Sequence, residues 1–458
     1  MQTPQRETAA PENTDANPYQ APIANGTAAT EAATAISPHR TSHPIGFWFF
    51  FWGELAERCS YYGMRAILAL YMADQLGLST ANASTAMHCF IAACYLLPLA
   101  GGYVADNFLG KYWTIVGFSI PYIVGQVILG IESVPFLILA LTLLAMGSGV
   151  IKPNISTLMG LTYDQQRPGQ EKLRTDAFAM FYFAINVGAA LSSLAMPYIR
   201  TRWNYQVAFL FPAGLMALAF AIFAAGKPFY AVETVRTAAK TPAEKTEQWA
   251  VFGRMLGIFT VVIFFWSIFD QSASTWTFFA AEHLDLELFG KTLEPDMIQA
   301  ANPLLIIALL PPISLLWKVL ARRGIDFRAT DKMMVGFILT TITMGMMSAA
   351  GFLTTPEAKV SVLWEIAAYV VITMAEICIS VVGLELAFTA APKNMKSFVT
   401  ACWLVTVFLG NLLNLAVARL YGMMNPGAYF GLLTLMLLVV TLCFWGVARR
   451  FNRAASMV

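Results

Sequence analysis

The chain has 458 residues, of which 58% are hydrophobic and 12% charged, with a formal net charge of +2. Soluble domains average about 25% charged residues, so too few polar side chains remain to clothe a water-exposed surface. The basic residues lie scattered between apolar runs, which excludes a nucleic-acid-binding face. Cys59, Cys89, Cys94, Cys378, Cys402 and Cys443 form no CxxC or His/Cys cluster, so neither a disulfide framework nor a zinc site is indicated. No nucleophile–base constellation, metal-spaced His/Asp cluster or phosphate-binding loop is present, so an enzyme is not expected.

Residues 1–44 are rich in Ala, Thr, Pro and Asn. They cannot bury enough apolar surface to offset chain entropy, which predicts a disordered tail, and the stretch lacks the apolar core of a signal peptide. From Pro44 onward apolar runs follow one another, each near the roughly 20 residues that a bilayer-spanning helix needs. Twelve spans are expected, centred near Ala66, Cys94, Ile123, Leu144, Ala184, Ala217, Phe264, Ile307, Thr340, Ala375, Thr406 and Leu437. Backbone groups in lipid must be satisfied within the segment, so the spans are helices and the fold is an all-α membrane protein. The longest polar interruption, 227–248, holds Lys240, Glu244, Lys245 and Glu247 and divides the spans six and six. Two six-helix bundles over 45–226 and 249–453 are therefore expected, joined by a cytoplasmic linker and followed by a short tail over 454–458. With both termini inside, inner loops and the C-terminal end hold 19 of the 29 Lys and Arg residues and outer loops four, Arg200, Arg202, Lys291 and Lys359. That asymmetry predicts a multi-pass protein of the cell (inner or plasma) membrane with cytoplasmic termini.

Charges within spans are costly, roughly 2.5 kcal/mol or more at a helix centre, and usually face a bundle interior or a wet cavity. The first span carries Glu54, Glu57, Arg58, Tyr61, Tyr62 and Arg65. At about 100° per residue, Glu54, Arg58, Tyr61 and Arg65 fall within about 60° of one another, with Glu57 and Tyr62 flanking. All six are expected to face one wet space. The fourth span carries Lys152 beside Gly147, Gly149 and Pro153, the seventh carries Asp270, and the tenth carries Glu376 followed by Glu385. Glycines permit close helix approach. Opposite signs in opposite halves suggest ion pairs across the bundle interface. A carboxylate paired with Arg or Lys stays ionised, whereas an unpaired one in a dry cavity takes up a proton. A proton and a substrate can thereby bias one conformational equilibrium.

Glu54-x-x-Glu57-Arg58 followed by Tyr61-Tyr62-Gly63 resembles the ExxER signature of the proton-dependent oligopeptide transporters (the POT/PTR family), within the major facilitator superfamily. Phe181-Tyr182-x-x-Ile185-Asn186-x-Gly188 resembles that family's fifth-span signature. Gly101 to Lys111, with Asp106 and Gly110, resembles the superfamily loop motif and is expected to be structural and mildly gating. The resemblance runs from about Ile45 to Phe451. His88 through Tyr95 and Asp270 through Thr277 look more like animal di- and tripeptide carriers. Departures are Ser380-Val381, where many bacterial members have Ser-Pro, and Phe269, where they carry a second acid. The linker is also too short for their two additional helices.

The resemblance implies a proton-coupled symporter importing di- and tripeptides by alternating access, or a relative carrying nitrate or a drug-like molecule. It would need no cofactor or metal beyond the proton gradient and would function as a monomer in the bilayer. Glu54, Glu57 and Arg58 would form the proton-responsive group, with Lys152 paired to Glu376, and His88 would match a proton-linked histidine of the animal carriers. Arg65 and Asp270 would form an outer gate. Arg58 and Lys152 would hold the peptide carboxylate and Glu376 its α-amino group. Tyr61, Tyr62, Tyr95, Asn186, Trp266, Asn302 and Trp403 would line the cavity. Arg419, near the outer end of span eleven, has no assigned partner and is expected to snorkel to the interface.

Overall fold

The computed structural model describes residues 42–233, 242–325, 327–355, 358–389 and 396–455. The tail expected over 1–44 therefore lies almost wholly outside the described residues, as do Lys240, Lys393 and the last three residues. The side chains of Glu244, Lys245, Glu247 and Glu385 also lie outside the description.

Among the described residues the chain is helical apart from turns and four two-residue strands. The N-terminal half comprises α1 (Ile45–Asp74), α2 (Thr80–Val104), α3 (Lys111–Leu129), α4 (Val134–Gln166), α5 (Glu171–Arg202) and α6 (Tyr205–Ala225). The C-terminal half comprises α7 (Pro242–Phe269), α8 (Thr275–His283), α9 (Ala301–Arg322), α10 (Ala329–Leu353), α11 (Leu363–Glu376), α12 (Val382–Thr389), α13 (Lys396–Val417) and α14 (Pro426–Ala455). Each expected span centre falls inside one of these helices. Span seven is α7 and α8 joined by a 3-10 turn, Asp270–Ala273, and span ten is α11 and α12 joined by a π-helical turn, Ile377–Val381. Eleven helical segments among the described residues are long and apolar enough to cross a membrane. The remaining span, α1, is 30 residues long but carries Glu54, Glu57, Arg58 and Arg65. The architecture is the two-bundle major facilitator fold of an integral membrane protein.

Two boundaries differ from the sequence expectation. The helix of the seventh span begins at Pro242, not 249, and proline at the first helical position needs no backbone donor. Span ten breaks although Ser380-Val381 lacks the proline of many bacterial members: a π turn begins directly after Glu376, and such turns concentrate at functional positions.

Close packing explains two of the glycines. A Cβ on Gly188 would lie 3.0 Å from the Leu55 carbonyl oxygen and 3.3 Å from the Arg58 Cβ. The glycine of the fifth-span signature thus lets α5 press directly on the turn of α1 that carries Arg58, and Cys59 Sγ donates to the Gly188 carbonyl at 3.3 Å. A Cβ on Gly149 would lie 2.8 Å from Leu97 Cβ and 3.2 Å from the Cys94 carbonyl oxygen. That contact fixes α4 against α2 and sets Lys152 beside Tyr95.

The segment after α6 straps back under the N-terminal bundle. Phe229 and Tyr230 stack on Phe49 and Phe50, with ring centroids 5.6 and 4.4 Å apart. The Val232 amide donates to Gln165 Oε1 at 2.9 Å, and Glu233 accepts from the Lys111 amide, capping α3. An unmade helix-terminal donor costs about 1 kcal/mol. Glu233→Ala is therefore expected to lower unfolding stability by about that amount in detergent, read as a lower thermal midpoint, with Glu233→Gln losing less.

Candidate functional site

A cavity of about 360 Å³ lies between the two bundles near mid-span. Its N-terminal wall carries Arg58, Tyr62 and Arg65 from α1, Tyr95 from α2, Lys152 from α4, and Tyr182, Asn186 and Ser193 from α5. Its C-terminal wall carries Trp266, Phe269, Asp270, Gln299, Asn302, Tyr369, Glu376 and Ser380. Basic groups of one half and acidic groups of the other therefore share one chamber.

The α1 residues divide by helical position. Arg58, Tyr62 and Arg65 stand at i, i+4 and i+7 and reach the cavity, whereas Glu54, Glu57 and Tyr61 do not line it. The expectation that all six face one wet space is corrected accordingly. Glu54 and Glu57 are 1% and 0% exposed and lie behind Arg58. Arg58 Nε sits 3.2 Å from Glu54 Oε1 and pairs directly with Glu57. Tyr61 is core: its ring lies 5.4 Å beneath the Arg58 guanidinium and 6.1 Å from the Phe90 ring. The narrow i, i+4, i+7 stripe faces the partner bundle, while Gly188 brings α5 onto the adjoining face.

Lys152 and Glu376 line opposite walls but form no ion pair, a second correction. The Lys152 ammonium lies 5.1 Å from the Tyr95 ring centroid, and Glu376 Oε2 accepts from Asn302 Nδ2 at 2.7 Å. Each charge is held on its own wall with the chamber between. Trp403 is a third correction. It is 3% exposed, absent from the cavity wall, and set against Gly383, where a Cβ would come within 2.2 Å of the indole. Tyr62, Tyr95, Asn186, Trp266 and Asn302 all line the chamber.

Polar bridges between the bundles gather at the end remote from the chain termini. Arg65 Nη2 lies 3.3 Å from Asp270 Oδ1, and Asp270 Oδ2 accepts from Asn411 Nδ2 at 2.6 Å. His88 is fully buried outside the cavity, its ring nitrogens 2.9 Å from Asn411 Oδ1 and 3.1 Å from Ser274 Oγ. Arg200 Nη2 lies 2.9 Å from Asp296 Oδ1 and 3.1 Å from Glu294 Oε2. Arg419, left without an assigned partner by the sequence, is exposed, and its Nε donates to Thr85 Oγ1 at 3.3 Å across the bundle interface.

Sequence reasoning assigned none of Tyr182 (quoted only within the fifth-span signature), Gln299 and Tyr369 to the cavity. Each lies one or two helical turns from a residue already singled out (Asn186, Asn302 and Glu376), so helical spacing alone places them on the same face. At the opposite end, Lys111 Nζ pairs with the exposed Asp106 at 2.9 Å within the loop motif. No group of three or more His, Cys, Asp or Glu suited to a metal occurs among the described residues.

With this geometry in view, comparisons place the chain among known proteins. The family described as PTR2, POT family, matches residues 112–246 and 231–430. Solute carrier family 15 member 1 of Rattus norvegicus is 31% identical over 363 residues, covering 66% of this chain and 51% of the relative. Peptide transporter family 1 of Drosophila melanogaster is 31% identical over 370 residues, covering 70% and 49%. The chain thus spans about half the length of the curated relatives it matches, and these relatives are transporters, not enzymes. Among solved structures, an auto-inhibited POT family peptide transporter superposes with TM-score 0.82 at 25% identity, covering 89% of this chain and 97% of that one. The POT family transporter PepTSo gives 0.81 at 28% identity, covering 90% and 99%. A mutant peptide transporter POT in complex with alafosfalin gives 0.82 at 26% identity, covering 91% and 97%. By the family match across most of its length, its two-bundle fold and the animal relatives it resembles, this chain belongs to the POT family.

Proposed function

We propose that the protein is a proton-coupled symporter that imports di- and tripeptides by alternating access between its two bundles. One observation carries this reading: a single chamber places Arg58 and Lys152 on one wall and Glu376 on the other, with aromatic side chains between. A short peptide is a zwitterion, and terminal charges are the features all such peptides share. Recognition through the termini leaves Tyr62, Tyr95, Tyr182 and Trp266 to accommodate varied side chains, since aromatic walls offer contact area with few directional demands.

Coupling follows from the buried group on α1. Arg58 is shared between Glu54, Glu57 and the cavity. Protonating either glutamate weakens its hold on Arg58 and frees the guanidinium for the peptide carboxylate. Proton and peptide then favour the same arrangement, with the gradient as the sole energy source and no cofactor or metal required. The Arg65–Asp270 pair, with His88 and Arg200, would close the remote end. With cytoplasmic termini in the cell membrane, the closed end is the outer one. A monomer suffices, because both walls come from one chain.

Uptake of labelled dialanine into vesicles under an imposed inward proton gradient tests the reading. Accumulation is expected with the gradient and is lost when a protonophore removes it. Uptake of nitrate or a drug-like solute in place of dialanine would overturn the substrate assignment and leave the coupling intact.

A further inference from the structure

We propose that Glu365 is a separate proton-binding site behind the outer gate, coupled to that gate through Tyr369, one turn along its own helix. The inference rests on the alternating-access reading above. Glu365 lies in the first turn of α11, at the end remote from the termini, and is 1% exposed. Its Oε2 has no hydrogen-bond partner, and the residue takes part in none of the ion pairs among the described residues.

Among the described residues the surroundings hold phenols and no cation paired with Glu365: Lys359, at the same end, reaches the Ala281 carbonyl at 3.5 Å, and Arg65, within electrostatic reach of Tyr369, is paired with Asp270. Tyr369 on the same helix and Tyr421, between α13 and α14, both lie within electrostatic reach of its carboxyl. Tyr429 on α14 packs its ring against Tyr421, and Glu282 on α8, paired with His283, lies within electrostatic reach of Tyr421. The helices α9 and α10 also pack on α11, but their ionisable residues Lys318, Arg322, Asp331 and Lys332 occupy the opposite helix ends. Nearby, the Tyr421 hydroxyl and the Trp276 indole N–H are likewise buried without partners. Trp276 packs edge-on against Tyr369 at 5.1 Å.

A polar network joins Tyr429, which touches Tyr421 by ring contact alone, to the gate. The two ring centroids lie 5.3 Å apart, and the Tyr429 hydroxyl donates to Gln271 Oε1 at 2.6 Å. Gln271 Nε2 donates to Asn414 Oδ1 at 3.3 Å, Asn414 reaches His88 at 3.4 Å, and Asn411 joins His88 to Asp270. Tyr369 supplies the link from Glu365: it lines the central cavity and its hydroxyl donates at 3.4 Å to the Ser272 carbonyl, in the turn that follows Asp270.

An isolated ionised carboxylate in such surroundings is far costlier than the neutral acid. Closing the gate therefore binds one proton at Glu365 from the outer side. Opening it loosens the Asp270–Ala273 turn, admits water and returns that proton to the same side. No proton crosses the membrane at this site, so the transport ratio is unaffected. Outer acidity and gate closure favour each other.

The test is the distance between spin labels at Glu132→Cys and Glu287→Cys, both exposed at the remote end, with Cys89→Ser and Cys443→Ser to remove exposed thiols. In the otherwise native chain, lowering pH from about 8 to about 5 is expected to shift the population to the closed distance. Glu365→Gln should flatten that shift by up to about tenfold per pH unit, the share of one proton. It should leave the proton-to-dialanine ratio unchanged. Glu365→Met, similar in volume and uncharged, gives the same readout if the glutamine variant folds poorly. A closed-to-open ratio with native pH dependence in either variant overturns the proposal, as does an unaltered chain whose distances ignore pH. Absence of dialanine uptake by the unaltered protein would sink the transport reading and leave this distance measurement decisive on its own.

Discussion

Gradient-driven uptake of dialanine is expected to fall to background in Glu57→Gln, while exchange of dialanine across vesicles without a gradient survives. The geometry separates the two activities. Arg58 pairs with both Glu57 and Glu54, the latter at 3.2 Å, and also lines the cavity. Removing the Glu57 charge leaves Arg58 paired once, so the fold is retained and the guanidinium still meets a peptide carboxylate. What disappears is a carboxylate whose protonation releases Arg58. Arg58→Gln should behave differently. It strips the cation from two buried carboxylates, and breaking a buried pair costs roughly 3–5 kcal/mol while the survivors stay charged. That variant should lose both activities and melt at a lower temperature, most clearly at alkaline pH where neither glutamate can neutralise. Arg58→Lys should not restore function, because a point charge cannot serve three directions as a planar guanidinium does. Native gradient-driven accumulation in Glu57→Gln would remove this glutamate from the coupling path.

What the sequence disclosed and what it hid have separate physical causes. Apolar run length located every span centre, because a helix that crosses lipid must satisfy its own backbone. Charges inside those runs pointed to the chamber, because such groups are too costly to face lipid. Depth around a helix was harder to read. Glu54 shares an angular stripe with Arg58 and Arg65, yet only the latter two reach the cavity. Which part of a stripe is wet depends on where neighbouring helices cross, and that is set by contacts such as Gly188 on Leu55, which involve residues far apart in sequence. Trp403 shows the same limit, since an indole against Gly383 is buried by a partner that α13 alone does not reveal. The pairing of Lys152 with Glu376 failed for another reason. Opposite charges in opposite bundles pair only if the walls touch, and here a cavity of about 360 Å³ separates them. Helix breaks without proline, as after Glu376, leave little trace in composition.

That space makes the sharpest prediction about specificity. Glu376 has no cation partner across the chamber, and its carboxylate accepts from Asn302 at 2.7 Å, which fixes its orientation without satisfying its charge. A peptide α-ammonium would supply the missing cation. Hydrogen bonds to charged groups contribute about 1.5–3 kcal/mol, so Glu376→Gln should weaken binding of peptides with a free amino group by roughly 10- to 100-fold. Peptides with an acetylated amino terminus carry no charge to lose and should change by no more than about twofold. Asn302→Ala tests the positioning role: it should weaken free-amino peptides less than Glu376→Gln does, because the charge remains but its orientation is no longer held. Competition against labelled dialanine measures all four combinations. An equal loss for free and blocked peptides would show that Glu376 acts through the chamber's shape or the bundle equilibrium, and would move amino-terminal recognition to another acid. Asp270 is the remaining acid on the cavity wall, and its engagement with Arg65 and Asn411 means that a peptide could reach it only by breaking the gate.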